Sequence, residues 1–160
     1  MVYMENDVAM DVECDDFFGR CLSGSSPIMS KYTNHANGEA VIGLTPNFPA
    51  KIIPLALAGG KTYRAKDGAF FASYGDIKIG YNFDFNPATC CFGGQGCVRQ
   101  VVSGDGTAFM AAMGTLMVKE LGAGETLVVD TDSLVAWSET CAPSPYAAQS
   151  THPVAMAHRV

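Results

Sequence analysis

Two stretches of this chain carry the same pattern of loop glycines and strand-like apolar residues, and that duplication limits the fold more than any single residue does. Gly24 and Gly93 lie 69 apart, and at that offset Val8, Met10 and Val12 fall on Ile77, Ile79 and Tyr81, while Tyr32 and Thr33 fall on Val101 and Val102. Gly38 falls on Gly106 at an offset of 68. Beyond the turn Thr45-Pro46-Asn47-Phe48-Pro49 the match resumes at 64, pairing Leu57, Gly60 and Thr62 with Leu121, Gly124 and Thr126, and Phe70, Phe71 and Ala72 with Leu134, Val135 and Ala136. Residues 8–72 and 77–136 therefore read as one unit written twice. A repeat of this length is a supersecondary unit that buries its apolar face against its neighbour, and glycine recurs where a turn needs its backbone freedom. No acid, base or nucleophile recurs with it, so the repetition preserves a shape and not a chemistry.

The shape is β. Residues 77–85 run Ile-Lys-Ile-Gly-Tyr-Asn-Phe-Asp-Phe, apolar at every odd position, which is the period of a half-buried strand. Shorter apolar runs at 40–44, 52–57, 69–72, 98–102, 116–121, 126–129 and 134–137 end at turn signals such as Gly59-Gly60, Asp67-Gly68, Gly75-Asp76, Gly104-Asp105-Gly106 and Gly122-Ala123-Gly124. Short strands at this spacing predict an all-β sandwich or barrel. Residues 108–117 are rich in helix formers, but 108–111 align with Ala40-Val41-Ile42-Gly43 and Gly114 interrupts them, so the repeat predicts strand there. A short helix over 16–21 stays open. After Trp137 the texture changes: Pro143, Pro145 and Pro153 sit among Ala, Ser and Gln, a composition unsuited to a sheet interior.

Hydrophobic residues make up 48% of the chain, enough for a core. Ten Lys and Arg stand against sixteen Asp and Glu, a net charge of −6, and the cations are scattered, which argues against nucleic acid as a partner. No apolar run is long enough to span a bilayer, and no basic stretch with an apolar core follows Met1.

Few residues suggest chemistry. Asp11, Glu13, Asp15 and Asp16 crowd the N-terminal region as possible acid/base groups or calcium ligands, but lack the fixed glycine and distal glutamate of an EF-hand loop and read as a solvated row. His35 sits in a turn, Thr33-Asn34-His35-Ala36-Asn37-Gly38, with nothing in the sequence tying it to a nucleophile, and His152 and His158 are spaced too widely for a helical ligand pair. Of the six cysteines (Cys14, Cys21, Cys90, Cys91, Cys97 and Cys141) only the 90, 91 and 97 group approaches zinc-ligand spacing; small apolar side chains in a reducing compartment are the simpler account. Phe92-Gly93-Gly94-Gln95-Gly96 looks like a phosphate cradle but leads into a strand, Cys97-Val98-Arg99-Gln100-Val101-Val102, and not a helix. The residues thus supply no catalytic, cofactor-binding or metal site.

Taken in order, Lys51-Ile52-Ile53-Pro54-Leu55, Gly68-Ala69-Phe70-Phe71-Ala72, Phe92-Gly93-Gly94-Gln95-Gly96, Ser103-Gly104-Asp105-Gly106, Leu121-x-x-Gly124-Glu125 and Val129-Asp130-Thr131, with Tyr3-Met4-Glu5 and Met10-Asp11 before them, resemble the altered inheritance of mitochondria protein 24 family over about residues 3–138. That resemblance implies TRAP-like units, short double-stranded β-helices, three to a chain. It implies bacterial members of undefined role and eukaryotic ones tied to mitochondrial inner-membrane organisation and respiratory-complex integrity, without established catalytic residues and without implied RNA binding. This chain departs from the pattern at Gln95, where glutamate is usual, and in its third repeat: only 23 residues follow Trp137.

The expectation is an all-β protein of two tandem TRAP-like units, 1–74 and 75–138, with a Pro/Ala-rich docking tail over 139–160 that meets another subunit on the vacant side. Functionally it is expected to be a non-catalytic assembly factor or peripheral accessory subunit of a larger, organellar inner-membrane complex, or a homo-oligomer, without cofactor or metal. Mitochondrion is the first compartment, a plastid membrane complex or the bacterial cytoplasm the alternatives. A small-molecule module using a cleft between the repeats is the rival reading, and an enzyme using His35, a cysteine or the N-terminal acids a second.

Overall fold

A computed structural model of the chain describes residues 1–14, 28–83, 98–143, 148–150 and 153–158. The chain divides into two compact units, Met1–Asn47 and Phe48–Val160. The architecture is all-β, and the described residues hold no α-helix, only a 3-10 turn at Thr131–Ser133. The possible helix at 16–21 and the glycine loop at 92–96 lie outside the described residues.

In the N-terminal unit, β1 (Tyr3–Met4) pairs with β4 (Ile42–Gly43), and β2 (Val8–Cys14) pairs with β3 (Ile28–Asn34) along its whole length, Val8 opposite Asn34 and Cys14 opposite Ile28. The apolar run at 40–44 is strand only at Ile42–Gly43. Asn34 ends the hairpin by folding the next turn over itself: its Oδ1 accepts the Ala36 N–H at 2.8 Å and its amide donates to the Gly38 carbonyl at 2.8 Å, the Asx device that turns use.

The C-terminal unit is organised by two long strands, β7 (Phe70–Phe83) and β8 (Val98–Ala112), paired almost throughout. Alternation along β7 follows the expected period, with Ile79 buried and Lys78 exposed beside it. The free side of β8 is shared between β5 (Lys51–Leu57), which pairs with residues 106–112, and β6 (Tyr63–Ala65), which pairs with 100–102. The sheet then continues through β11 (Leu134–Ser138) and β14 (Pro153–His158) to β9 (Thr115–Glu120). A smaller sheet joins β10 (Glu125–Leu127), β13 (Ala148–Ser150) and β12 (Ala142–Pro143). The helix-prone residues 108–117 are strand, as the repeat predicts, broken at Met113 and at Gly114, whose φ is 81°.

Two expectations are corrected. Gly75-Asp76 and Gly104-Asp105-Gly106 are not turns that end strands; they face one another inside β7 and β8, Gly75 opposite Gly106 and Ile77 opposite Gly104, with the register unbroken around them. All three glycines have positive φ, 96°, 120° and 147° for Gly75, Gly104 and Gly106. A Cβ on Gly75 would stand 2.7 Å from the Asp105 carbonyl oxygen, while one on Gly104 or Gly106 would run into the carbonyl oxygen of Asp76 or Tyr74. The glycines therefore mark where two paired strands change course too sharply for side chains. The boundary placed at 74/75 falls on this bend, within β7.

The second correction is the tail. Its proline-containing composition is unsuited to a sheet interior, yet β14 lies between β11 and β9. Pro153, which cannot donate to the ladder, stands at the first position of the strand, where proline is tolerated. The pairing repeats that of the first repeat. Ile53 and Phe70 both meet Met110, with a bulge between Phe70 and Ala72; 64 residues on, Met117 and Leu134 both meet Met156, with a bulge between Leu134 and Ala136. β14 thus does for the second repeat what the last part of β8 does for the first. Residues read as a docking tail are engaged within their own chain.

The main core gathers Ile53 and Leu57 from β5, Ala65 from β6, Val102, Ala108, Met110 and Ala112 from β8, and Val135 and Ala136 from β11. A second cluster holds Leu121, Leu134, Trp137 and Cys141. Four consecutive residues of β11, 134–137, are buried because the strand stands between the two clusters.

Candidate functional site

Residues with chemical potential are dispersed. On β2 Asp11 and Glu13 project from one face; Glu13 lies 3.6 Å from Lys31 and Asp11 stands opposite it in register, so this row is a solvated cross-strand ion pairing. Asp15 and Asp16 lie outside the described residues, as do Cys21, Cys90, Cys91, Cys97 and His152. His35 is exposed in its turn, with its backbone N–H donating to the Asp7 carbonyl at 3.0 Å. Cys141 is 3% exposed within the second apolar cluster. Among the described residues no three His, Cys, Asp or Glu side chains converge as a metal would need.

Polar residues the sequence did not single out are more notable. Arg99 and Gln100 in β8 are 6% and 5% exposed, and the Gln100 amide donates to Asp67 Oδ1 at 3.3 Å. Gln100 stands opposite Tyr81 on β7, and among the described residues neither Gln100 Oε1 nor Tyr81 Oη meets a hydrogen-bonding partner. Leaving such groups dry costs about 1–3 kcal/mol each. Alternation could have placed Gln100 inward with Val98 and Val102; no local signal marks Arg99.

A cleft of about 620 Å³ opens in the C-terminal unit between the turn at 66–69, the end of β8 and the start of β11. Ala69, Ala112 and Leu134 contribute apolar surface, and Lys66, Asp130 and Asp132 charge. Lys66 Nζ is 2.9 Å from Asp132 Oδ1, and the Ser133 hydroxyl meets Asp130 at 3.2 Å, so these groups largely satisfy one another. Elsewhere in the second repeat, Glu125 holds a turn closed: its carboxylate accepts the Gly122 N–H at 2.8 Å and its own N–H donates to the Gly122 carbonyl at 3.0 Å, with Lys119 3.0 Å away. The Gly122 N–H, and after it Lys119, hold the Glu125 carboxyl below its usual range.

Apolar side chains, in contrast, lie open. β9 ends the large sheet, and among the described residues it pairs with β14 alone. Met117 and Val118 on it are 59% and 61% exposed.

The sequence profile described as Mitochondrial biogenesis AIM24 matches residues 1–152. The chain belongs to the AIM24 family. Its role is thereby tied to mitochondrial biogenesis. A crystal structure of a Streptococcus pyogenes protein resembles this fold with a TM-score of 0.74 at 22% identity, the match covering 99% of this chain and 80% of that one. At that identity the likeness speaks for the fold alone, and it shows the AIM24 architecture in a bacterium as well. No curated protein sequence matches the chain. Among the described residues no helix is long and apolar enough to cross a membrane.

Proposed function

We propose that this AIM24 chain works without catalysis, as an assembly factor or peripheral accessory subunit of a larger protein complex at an organellar inner membrane, the mitochondrial one first. The observation that carries this reading is the open end of the large sheet. Among the described residues β9 pairs with β14 alone, which leaves a row of backbone groups on its other side, flanked by the exposed Met117 and Val118. An open edge with apolar neighbours recognises an extended segment of another protein through backbone hydrogen bonds and side-chain contacts. Proteins guard such edges with charge, and Lys119 and Glu120 confine the apolar stretch to the first part of the strand.

The test is to extract the native protein gently from membranes, size it, and identify what accompanies it. Defined partner subunits, lost on Met117→Lys with the fold intact, support the proposal. Migration at the mass of the chain alone, with neighbouring complexes unaffected by its removal, sinks it.

The cleft at Lys66, Asp130 and Leu134 supports a second reading, a small-molecule site, since its volume and mixed lining suit a compact polar ligand. Screening metabolites by thermal stabilisation tests it, with Asp130→Ala abolishing any shift.

A further inference from the structure

The turn after β3 holds two asparagines in opposite circumstances. Asn34 is tied down: its carboxamide accepts the Ala36 N–H and donates to the Gly38 carbonyl, both at 2.8 Å, and the N–H of the next residue, His35, donates to the Asp7 carbonyl at 3.0 Å. Asn37 is not. Among the described residues neither its carboxamide nor the N–H of Gly38 after it meets a hydrogen-bonding partner, and within the unit Met1–Asn47 both residues are exposed. No atom lies within 4 Å of where a Cβ on Gly38 would stand.

An asparagine carboxamide is a carbonyl carbon bearing an amine, and the nucleophile nearest to it along the chain is the backbone nitrogen of the following residue. Ring closure needs that N–H unengaged and its approach uncrowded. A Cβ on the second residue stands in the way, and glycine has none. Each other asparagine of the chain lacks one of these conditions: Asn6, Asn47 and Asn82 precede Asp7, Phe48 and Phe83, which carry a Cβ, and Asn86 precedes Pro87, which has no N–H. Asn34 precedes His35, whose N–H is already donated.

We propose that Asn37 is a site of spontaneous covalent modification, at which its side-chain amide is converted to a carboxylate through a cyclic imide closed by the Gly38 nitrogen. That nitrogen gives its proton to hydroxide and attacks Asn37 Cγ; the new C–N bond replaces the bond to the side-chain amine, which takes a proton from water and leaves as ammonia. Water then opens the imide at either carbonyl. One opening restores the backbone and leaves aspartate, while the other routes the backbone through the side chain as isoaspartate. Nothing is oxidised or reduced. Either product adds a negative charge beside Glu39, in a chain whose net charge is already −6. Isoaspartate also inserts a methylene into the main chain between residues 37 and 38, which pulls on the bond from Asn34 to the Gly38 carbonyl that closes the turn.

Ageing the whole chain in solution, at neutral and at mildly alkaline pH, and mapping its peptides by mass spectrometry tests the proposal. A synthetic peptide of residues 33–40, which has no fold, is the reference. The expected result is conversion at Asn37 ahead of every other asparagine, at a rate that rises with hydroxide and stays within about tenfold of the peptide's, ~1.4 kcal/mol in barrier. The product accepts a methyl group from an isoaspartyl carboxyl methyltransferase. Gly38→Ala, for which the turn has room, slows the conversion by about tenfold or more. A folded chain in which Asn37 reacts more than about tenfold slower than the peptide overturns the proposal, since the turn then protects it. Conversion first at Asn34 or Asn6 overturns it too, as does a Gly38→Ala chain that reacts as fast as the parent.

Discussion

Replacing Gly106 by alanine probes the bend that joins the two repeats. Gly106 has φ of 147°, a conformation nearly closed to residues with a Cβ, and its Cβ would meet the Tyr74 carbonyl oxygen and lie 3.0 Å from the Gly75 Cα. The conformational strain costs about 1–3 kcal/mol. Parting β7 from β8 to relieve the clash weakens a ladder hydrogen bond, about 1 kcal/mol more. The expected destabilisation is therefore about 2–4 kcal/mol, a large part of the 5–15 kcal/mol typical of a folded domain. Trp137, the single tryptophan and 1% exposed, reports unfolding through its fluorescence. In urea the midpoint should fall with its slope unchanged, and the melting temperature should drop by about 10 °C for a chain of this size. Gly80→Ala in the same hairpin is the control: its φ is not positive, the Val101 carbonyl oxygen lies 4.0 Å from the added Cβ, and removing a glycine from a strand gains about 0.5 kcal/mol. A Gly106→Ala protein within 1 kcal/mol of the parent, on the scale where such strain costs 1–3, would refute the reasoning.

Other consequences can be measured on the same protein. Leu57→Ala empties a fully buried site in the main core and should cost about 2–5 kcal/mol by denaturant unfolding. Lys66→Ala breaks a partly exposed ion pair with Asp132 and should change stability by under about 1 kcal/mol; a larger loss would mean that the cleft rim is structural. Because Glu125 is held below its usual range in the fold, its contribution is complete above the unfolded value near 4.5 and fades as pH falls through the folded one. An NMR titration of its carboxyl should therefore show a midpoint below 4.5, and Glu125→Gln should flatten the acid limb of the stability profile. Ending the chain after Ser150 removes β14 and leaves β9 and β11 unpaired along facing edges, so hydrogen exchange in β9 should lose its protection while β5 retains most of it.

Much of this fold could be read from the chain, and the errors are physical ones. The strands at 52–57, 98–102, 116–121 and 134–137 emerged because each combines apolar side chains with a flanking breaker. The helix-like run through Met110 was correctly strand because a repeat partner with β-branched residues outweighs propensity. Gly75, Gly104 and Gly106 misled because glycine reports permissive backbone without saying whether the chain turns back or only bends. β14 was missed because proline at the first position of a strand is harmless, and only a pairing partner 39 residues earlier, at Met117 opposite Met156, makes that segment a strand. At the surface, the solvated acids of β2 were legible from spacing. The cleft was not, since Lys66, Ala112 and Asp130 are brought together by three separate connections.

The sequence by itself determined the β class, the repeated pattern of glycines and apolar residues and the acidic balance of charge, since these follow from local sterics and from counting charges. Tertiary structure alone decided which apolar faces are covered. Ile79 and Met10 carry the same signal at matching positions, yet one lies within a core and the other in water. Burial depends on what the rest of the chain places opposite a residue, and that long-range geometry leaves no mark in the residue's own neighbourhood.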